Sequence, residues 1–206
     1  MPRDGRATRE AILDAAQALI LESGFAATTV DAVIGRAGLT KGAFFHHFHS
    51  KADLAEAVMR RYAETDGAHA ERILTRAETL SRDPLQQVLI AMRLFEEEAA
   101  ALSQPFEGCL YASFCCEAQL FDDRVLEIIR ATFAACRKRI GAKLAAAMTR
   151  HPTRFPVTPE SLVDLFMAAA EGAYIISRLE QRTDVIAEQF RHLRNYFELL
   201  FEPAPG

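Results

Sequence analysis

Apolar side chains recur at three- and four-residue spacing along almost the whole chain, which places them on one face of successive helices. In the opening segment this stripe consists of Ile12, Ala15, Ala16, Leu19 and Ile20. Thr8 is a candidate cap for that helix, and Gly24 marks its end. No segment keeps the alternating apolar and polar pattern of a half-buried strand. The pattern predicts an all-α protein.

Residues 28–51 have the pattern of two short helices joined by a glycine turn, TTVDAVIGRAGLTKGAFFHHFHSK. Thr28 and Asp31 form a candidate capping box for the first helix, and Gly38 is placed to end it. Thr40 is a candidate cap for the second helix. A helix-turn-helix places its second helix in the major groove of DNA. The segment therefore predicts DNA binding.

The charge distribution agrees with this prediction. No acidic residue occurs between Ala32 and Lys51, whereas the cationic or titratable side chains there are Arg36, Lys41, Lys51, His46, His47 and His49. Residues 1–51 hold six basic and five acidic side chains, a net +1, and the whole chain carries −4, so residues 52–206 carry −5. A cationic patch on an acidic body is expected of a protein that contacts phosphate with one end. The alternative is a short solvated basic run.

Helix signals continue through the rest of the chain. A fourth helix is predicted from Ser50 to about Thr75, and the next begins at Asp83-Pro84, where proline suits the first helical position. Later predicted helices run from Gly108 to Gln119, from Asp122 or Asp123 onward, and from Pro159 onward, before one final helix. We divide the chain into a helix-turn-helix domain, residues 1–51, and a helical body, residues 52–206.

The last two predicted helices carry unusually broad apolar faces. The first consists of Leu162, Leu165, Phe166, Ala169, Ala170, Ala173 and Ile176, and the second of Phe190, Leu193, Tyr196, Phe197 and Leu200. Such faces either fill the core of a single subunit or form a four-helix interface between two copies.

Other functional classes find little support in the sequence. His46, His47 and His49 lie in the DNA-binding part while the cysteines lie in the body, so no cysteine–histidine catalytic pair is indicated. The four cysteines lack metal-ligand spacing, and no phosphate-binding glycine loop occurs. We therefore predict no enzyme, no metal and no cofactor. Without a long apolar run or a signal peptide, the chain is expected in the cytoplasm.

The run ATTVDAVIGRAGLTKGAFFHHFHSKADL, together with the helical body, resembles the TetR (tetracycline-repressor) family of transcriptional regulators. The resemblance implies a homodimer of nine-helix subunits. Each subunit would have a three-helix DNA-binding head and a ligand-binding body, whose last two helices form the dimer contact.

The resemblance also implies which residues of the head meet double-stranded operator DNA: Thr29, Thr40, Lys41, Gly42, Ala43, Phe45, His47 and Lys51. Gly42 and Ala43 are small, so the recognition helix could sit deep in the major groove, and Lys51 would bind phosphate. The family often has tyrosine where this chain has Phe45, which removes a candidate hydrogen bond to phosphate. Phe44 and Phe48 are expected to fill the core of the head.

The most favoured function is a repressor that binds a palindromic operator and is released by a small apolar or aromatic effector. Candidate pocket walls are Phe95, Tyr111, Phe114, Phe133, Phe166 and Tyr174. One alternative is thiol-based sensing through Cys109, which follows Gly108 at a predicted helix start. Another is a helical interaction protein that has lost DNA binding.

Overall fold

The computed structural model describes residues 5–201, and within that range nine α-helices account for the fold, with no named strand. The helices are α1 (Gly5–Ser23), α2 (Val30–Ala37), α3 (Lys41–His47), α4 (Lys51–Leu80), α5 (Pro84–Ala100), α6 (Leu110–Cys116), α7 (Asp123–Arg150), α8 (Pro159–Glu180) and α9 (Val185–Leu200). A 3-10 turn, Ala118–Leu120, follows α6. The all-α prediction is confirmed, and among the described residues no helix is long and apolar enough to cross a membrane.

The caps of the first helices differ in two places from those predicted. Helix α1 already includes Gly5, so Thr8 lies inside it rather than at its start. The cap of α2 is Thr29, whose side chain accepts the N–H of Ala32. Thr28 instead turns inward, where its hydroxyl donates to the Gly24 carbonyl oxygen at 2.8 Å and is almost fully buried. Because the Thr28 hydroxyl is occupied by the Gly24 carbonyl oxygen, the next residue, Thr29, caps α2.

The predicted ends of α2 and the start of α3 are confirmed. Gly38 adopts a left-handed conformation (φ 63°), and its N–H bonds the carbonyl oxygen of Gly35, which closes α2. Thr40 caps α3 by accepting the N–H of Ala43 at 3.2 Å. Together these residues form a compact helix-turn-helix.

Helix α4 is longer than predicted. Ser50 accepts the N–H of Asp53 at its start, but the helix continues past Thr75 to Leu80. The reason is packing: Ile73, Leu74 and Ala77 are buried against residues of α5. The apolar stripe therefore continues until the break that precedes Pro84.

The chain divides into two compact units. The first unit extends to Thr65 and includes the distant segment Glu107–Ala131, and the second comprises Asp66–Phe106 and the chain from Thr132 onward. Helices α4 and α7 each contribute to both units. The head thus has a larger structural context than the first three helices.

In the second unit, α5, α8, α9 and the later part of α7 contribute to the main core. Leu144, Leu162, Val163 and Phe197 are among its buried side chains. Other apolar residues of α8 and α9 remain on the surface: Leu165, Ile175, Ile176, Leu179, Tyr196 and Leu199. One portion of the two broad apolar faces therefore fills the subunit core, and an interface between two copies stays a prediction for the exposed portion.

Candidate nucleic-acid interface

Helix α3 presents its amino-terminal half to solvent. Lys41 and Gly42 are exposed, and Phe45 keeps 43% of its surface accessible. On the opposite face Phe44 and Phe48 are buried, with their ring centroids 5.8 Å apart, and they anchor the helix as expected from the sequence. The outward residues are therefore available to a large partner without any change in the core.

Two threonine hydroxyls are placed at the starts of α2 and α3. Thr29 accepts the Ala32 N–H at 3.1 Å, and Thr40 accepts the Ala43 N–H at 3.2 Å. Because a hydroxyl that accepts through a lone pair still carries its own hydrogen, each can also donate to a phosphate oxygen. Their capping role also fixes the direction in which they point.

The cationic side chains between Ala32 and Lys51 are not equally available to bind phosphate. Arg36 forms a bidentate pair with Glu22 of α1, at 2.5 and 2.8 Å, and the hydrogen bond from Arg36 lowers the pKa of Glu22. Lys41 meets Asp31 at 3.6 Å, with both side chains well exposed, a geometry that contributes little binding energy. Lys41 is thus the cation of α3 itself that phosphate can recruit.

Lys51 faces inward more than the sequence suggested. Its ammonium group donates to the carbonyl oxygens of Phe25 at 2.6 Å and Ala26 at 3.3 Å, and lies 4.1 Å from the centroid of the Phe25 ring. Burial lowers the pKa of Lys51, and the Glu117 carboxylate opposes that shift. Its contact with phosphate, like the contacts of Gly42, Ala43, Phe45 and His47, stays a prediction.

Comparison with known proteins identifies this helix-turn-helix. Residues 12–58 match the family model described as bacterial regulatory proteins of the tetR family. Residues 12–58 therefore form a TetR-family DNA-binding domain. Over its full length the chain is similar to bacterial transcriptional regulators.

Similarity to named proteins extends over most of the chain in one case and over about a quarter of it in another. The transcriptional regulator AcuR of Cereibacter sphaeroides is 24% identical over 197 residues, which cover 94% of this chain and 87% of the relative. The Tn10 TetC protein of Escherichia coli is 36% identical over 56 residues, 27% of this chain and 28% of the relative. A solved TetR regulator from Chloroflexus aurantiacus shares the fold, with a TM-score of 0.78 and 24% identity, covering 98% of this chain and 100% of that one.

The second unit of the regulator contains a small apolar cavity of about 30 Å³. Its walls include Phe95, Phe166 and Phe197, and the aliphatic part of Lys143. The Lys143 ammonium points to partners, bonding Gln87 Oε1 at 2.7 Å and Glu78 Oε1 at 2.5 Å. A cavity of this size holds about two water molecules, whereas pockets for drug-sized ligands measure roughly 300–1,000 Å³. Ligand entry would require the walls to move apart.

Of the predicted pocket residues, the structure brings only Phe95 and Phe166 to this cavity. Tyr174 stacks on Phe106, with ring centroids 4.2 Å apart, and Phe133 is half-buried on α7. Three further candidate ligand contacts lie in the first unit, away from this cavity, and stay predictions: Cys109, Tyr111 and Phe114. Phe114 packs there on Phe25 and Phe121. In the sequence, an aromatic residue that lines a pocket has the same helical spacing as one that fills the core, so the two could not be distinguished.

The cysteine hypothesis depends on exposure, and the structure gives Cys109 little of it. Cys109 is the residue before α6, as predicted, but only 6% of its surface is accessible. Cys115 and Cys116 on the same helix are exposed. A thiol that reacts with electrophiles needs to be accessible to them, so the burial of Cys109 gives no support to sensing at that residue.

Two residues with notable roles were missed by the sequence analysis. Lys143 borders the cavity although no cationic run marks it, and Glu117 bonds the turn between α1 and α2. No spacing rule connects Glu117 with Phe25, because 92 positions separate them. Only the gathering of Glu107–Ala131 into the first unit brings them together.

Proposed function

We propose that the protein is a homodimeric repressor that binds a near-palindromic operator in the cytoplasm and is released by a small apolar or aromatic molecule. The observation that carries the proposal is the exposed amino-terminal half of α3. There Thr40 and Lys41 face outward, while Phe44 and Phe48 anchor the opposite side. In a dimer, two such helices would enter successive major grooves about 34–36 Å apart.

The proposed dimer contact is the exposed part of α8 and α9. Leu179 and Leu199 keep 79% and 70% of their surface accessible, and Ile175, Ile176, Leu165 and Tyr196 are exposed nearby in the sequence. Large apolar side chains on successive turns of two adjacent helices form a self-complementary surface when a twofold axis passes between them. The same arrangement would set the separation of the two heads.

The proposed effector site is the cavity in the second unit. Its lining is almost entirely apolar, and the polar end of Lys143 is already bonded to Gln87 and Glu78. A neutral, apolar molecule would bind there without leaving a charge unpaired. It would shift the conformational equilibrium only by binding one state more tightly than the other.

The test first uses the full-length protein to select duplexes from a random library. Binding to the selected duplex is then measured by fluorescence anisotropy between 50 and 200 mM salt. Over this range, a protein that makes several phosphate contacts loses affinity on the order of a thousandfold. Changing Thr40→Ala together with Lys41→Ala should abolish specific binding, because a phosphate donor and the exposed cation of α3 are lost. Lys138→Ala, an exposed charge on α7, is the matched control and should bind like wild type.

The same assay is then repeated with a panel of small neutral aromatic compounds, of which at least one should weaken operator binding. Selection of no duplex, or binding that is independent of salt, would contradict the proposed function and favour a helical interaction protein. Full retention of binding by the double variant would remove Thr40 and Lys41 from the interface.

A further inference from the structure

The turn between α1 and α2 is held from both sides by charged groups that are distant in sequence. On one side the Glu117 carboxylate accepts the N–H of Phe25 at 2.8 Å and that of Ala26 at 3.0 Å, both through Oε2. On the other side the Lys51 ammonium donates to the carbonyl oxygens of the same two residues, at 2.6 and 3.3 Å. The three consecutive peptide groups on either side of Phe25 and Ala26 are thus bonded by an anion and a cation.

The surroundings of this turn fit the carboxylate closely. Gly24 adopts φ +84°, and a Cβ added there would lie 2.8 Å from Glu117 Oε1. The backbone conformation therefore favours glycine, and a side chain at this position would displace the carboxylate. The Phe25 ring adds an apolar contact, with its centroid 4.6 Å from that of Phe121 and 5.7 Å from that of Phe114.

The turn leads directly into the predicted DNA contact. Ala26 is three residues before Thr29, the cap of α2, and Thr28 N bonds the Phe25 carbonyl oxygen at 3.1 Å. A shift of this turn therefore moves the start of the helix-turn-helix. Phosphate contacts fix the register of a protein on a duplex, so a misplaced α2 would lose affinity even when α3 itself is intact.

We propose that Glu117 is a positioning residue for DNA binding, which holds the Phe25–Ala26 turn and thereby sets the helix-turn-helix. Glu117 acts through the turn and touches no DNA. The proposal rests on the proposed function, because it assigns Glu117 a role in the operator affinity of the folded protein. The segment Glu107–Ala131 would then contribute to DNA binding as part of the first unit.

The test compares full-length variants on the duplex selected by the wild type. Glu117→Ala should weaken binding about tenfold or more, because only the fraction of molecules with a correctly set head can bind. The DNA affinity of Glu117→Gln should lie between those of the wild type and Glu117→Ala. Its amide oxygen still accepts both N–H groups but carries no charge. Glu107→Gln, an exposed glutamate of the same segment, is the matched control and should stay within about twofold of wild type.

The salt dependence separates positioning from direct contact. The slope of log affinity against log salt should be unchanged in Glu117→Ala, because no phosphate contact is removed. Lys41→Ala should reduce the slope by about one, as expected when a single phosphate contact is lost. A residue that only stabilised the fold would leave the affinity unaltered at temperatures well below the unfolding transition.

A double-variant cycle with Gly24→Ala links the two residues and still applies if Glu117→Ala does not fold. Gly24→Ala should weaken binding by displacing the Glu117 carboxylate, and Glu117→Gln should then cost less than it does in the wild type. Additive losses in this cycle, or wild-type affinity in Glu117→Ala, would overturn the inference while the proposed function stands. Failure of the wild type to select any duplex would overturn both.

Discussion

At the scale of single residues, Asp83 shows how one carboxylate joins two helices. Its Oδ1 accepts the N–H of Gln86 at 3.0 Å, which caps α5, and its Oδ2 meets His151 Nε2 at 2.8 Å at the end of α7. Burial opposes ionisation, but the hydrogen bonds from His151 and Gln86 prevail and lower the pKa of Asp83. The charged form is therefore the one that the fold stabilises.

We predict that Asp83→Ala lowers the free energy of unfolding by about 1–2 kcal/mol at pH 7, the usual cost of losing a helix cap. Because the folded pKa lies below the unfolded value of about 3.9, this contribution is complete above that value and is lost as the pH falls through the folded pKa. Urea unfolding of wild type and variant at pH 7, 5 and 3.5 measures it. Asp83→Asn, which keeps a capping oxygen, is the control, and a difference between wild type and Asp83→Ala that grows as the pH falls would contradict the prediction.

Which residue identities could be predicted from the sequence depended on how local their partners are. Thr40, Gly38 and the Asp83-Pro84 start were predicted correctly, because a cap and its N–H partner lie within three positions of each other. Arg36 counted as an available cation, yet its partner Glu22 lies 14 positions away on another helix. Lys51 faces the turn for a similar reason, since its acceptors lie 25 and 26 positions away.

At the scale of helices, the contact between α5 and α9 contains a buried glutamate among arginines. Glu96, with 4% of its surface accessible, bonds Arg191 Nε at 2.9 Å and Arg194 Nε at 3.3 Å, both on α9, as well as Arg93 on α5 at 3.2 Å. Burial alone would raise its pKa, but the guanidinium groups, led by Arg191, lower it. The carboxylate is thus a charged link between the two helices.

We predict that Glu96→Ala lowers the free energy of unfolding by about 2–4 kcal/mol, because removing one member of a buried ion pair leaves the other charge without a partner. The loss is smaller than for a fully buried pair because the arginines reach solvent. The adjacent Glu97 is the matched control: it also bonds Arg93, at 2.9 Å, but is exposed. Glu97→Ala should cost less than about 1 kcal/mol. Guanidinium unfolding of both variants measures the difference, and equal costs would show that Glu96 gains nothing from burial.

Helix ends were predictable where the sequence holds a strong break and less so elsewhere. Proline and glycine marked the starts of α5 and α8 and the end of α2, since these residues restrict the backbone by themselves. Nothing between Thr75 and Leu80 interrupts a helix, so the end of α4 was set by packing on α5. Long-range packing of this kind leaves no signal in a local window.

At the scale of the whole molecule, the exposed apolar residues of α8 and α9 bear on assembly. We predict that the wild type sediments as a dimer and that Leu179→Glu shifts it toward monomer, because the twofold axis places the buried charge at the interface twice. Leu80, at the end of α4, is also exposed, at 59% against 79% for Leu179, so Leu80→Glu is the control and should remain dimeric. Sedimentation velocity over a range of concentrations measures both, and a dimeric Leu179→Glu would locate the interface elsewhere.

The composition of the first unit has a practical consequence for building hybrid regulators. A head transplanted with only its first 51 residues would carry the Phe25–Ala26 turn but leave Glu117, Phe114 and Phe121 behind. The recipient would have to offer a matching acceptor and aromatic surface by chance. Exchange of DNA specificity in this protein therefore calls for a two-part transplant that moves residues 107–131 along with the head.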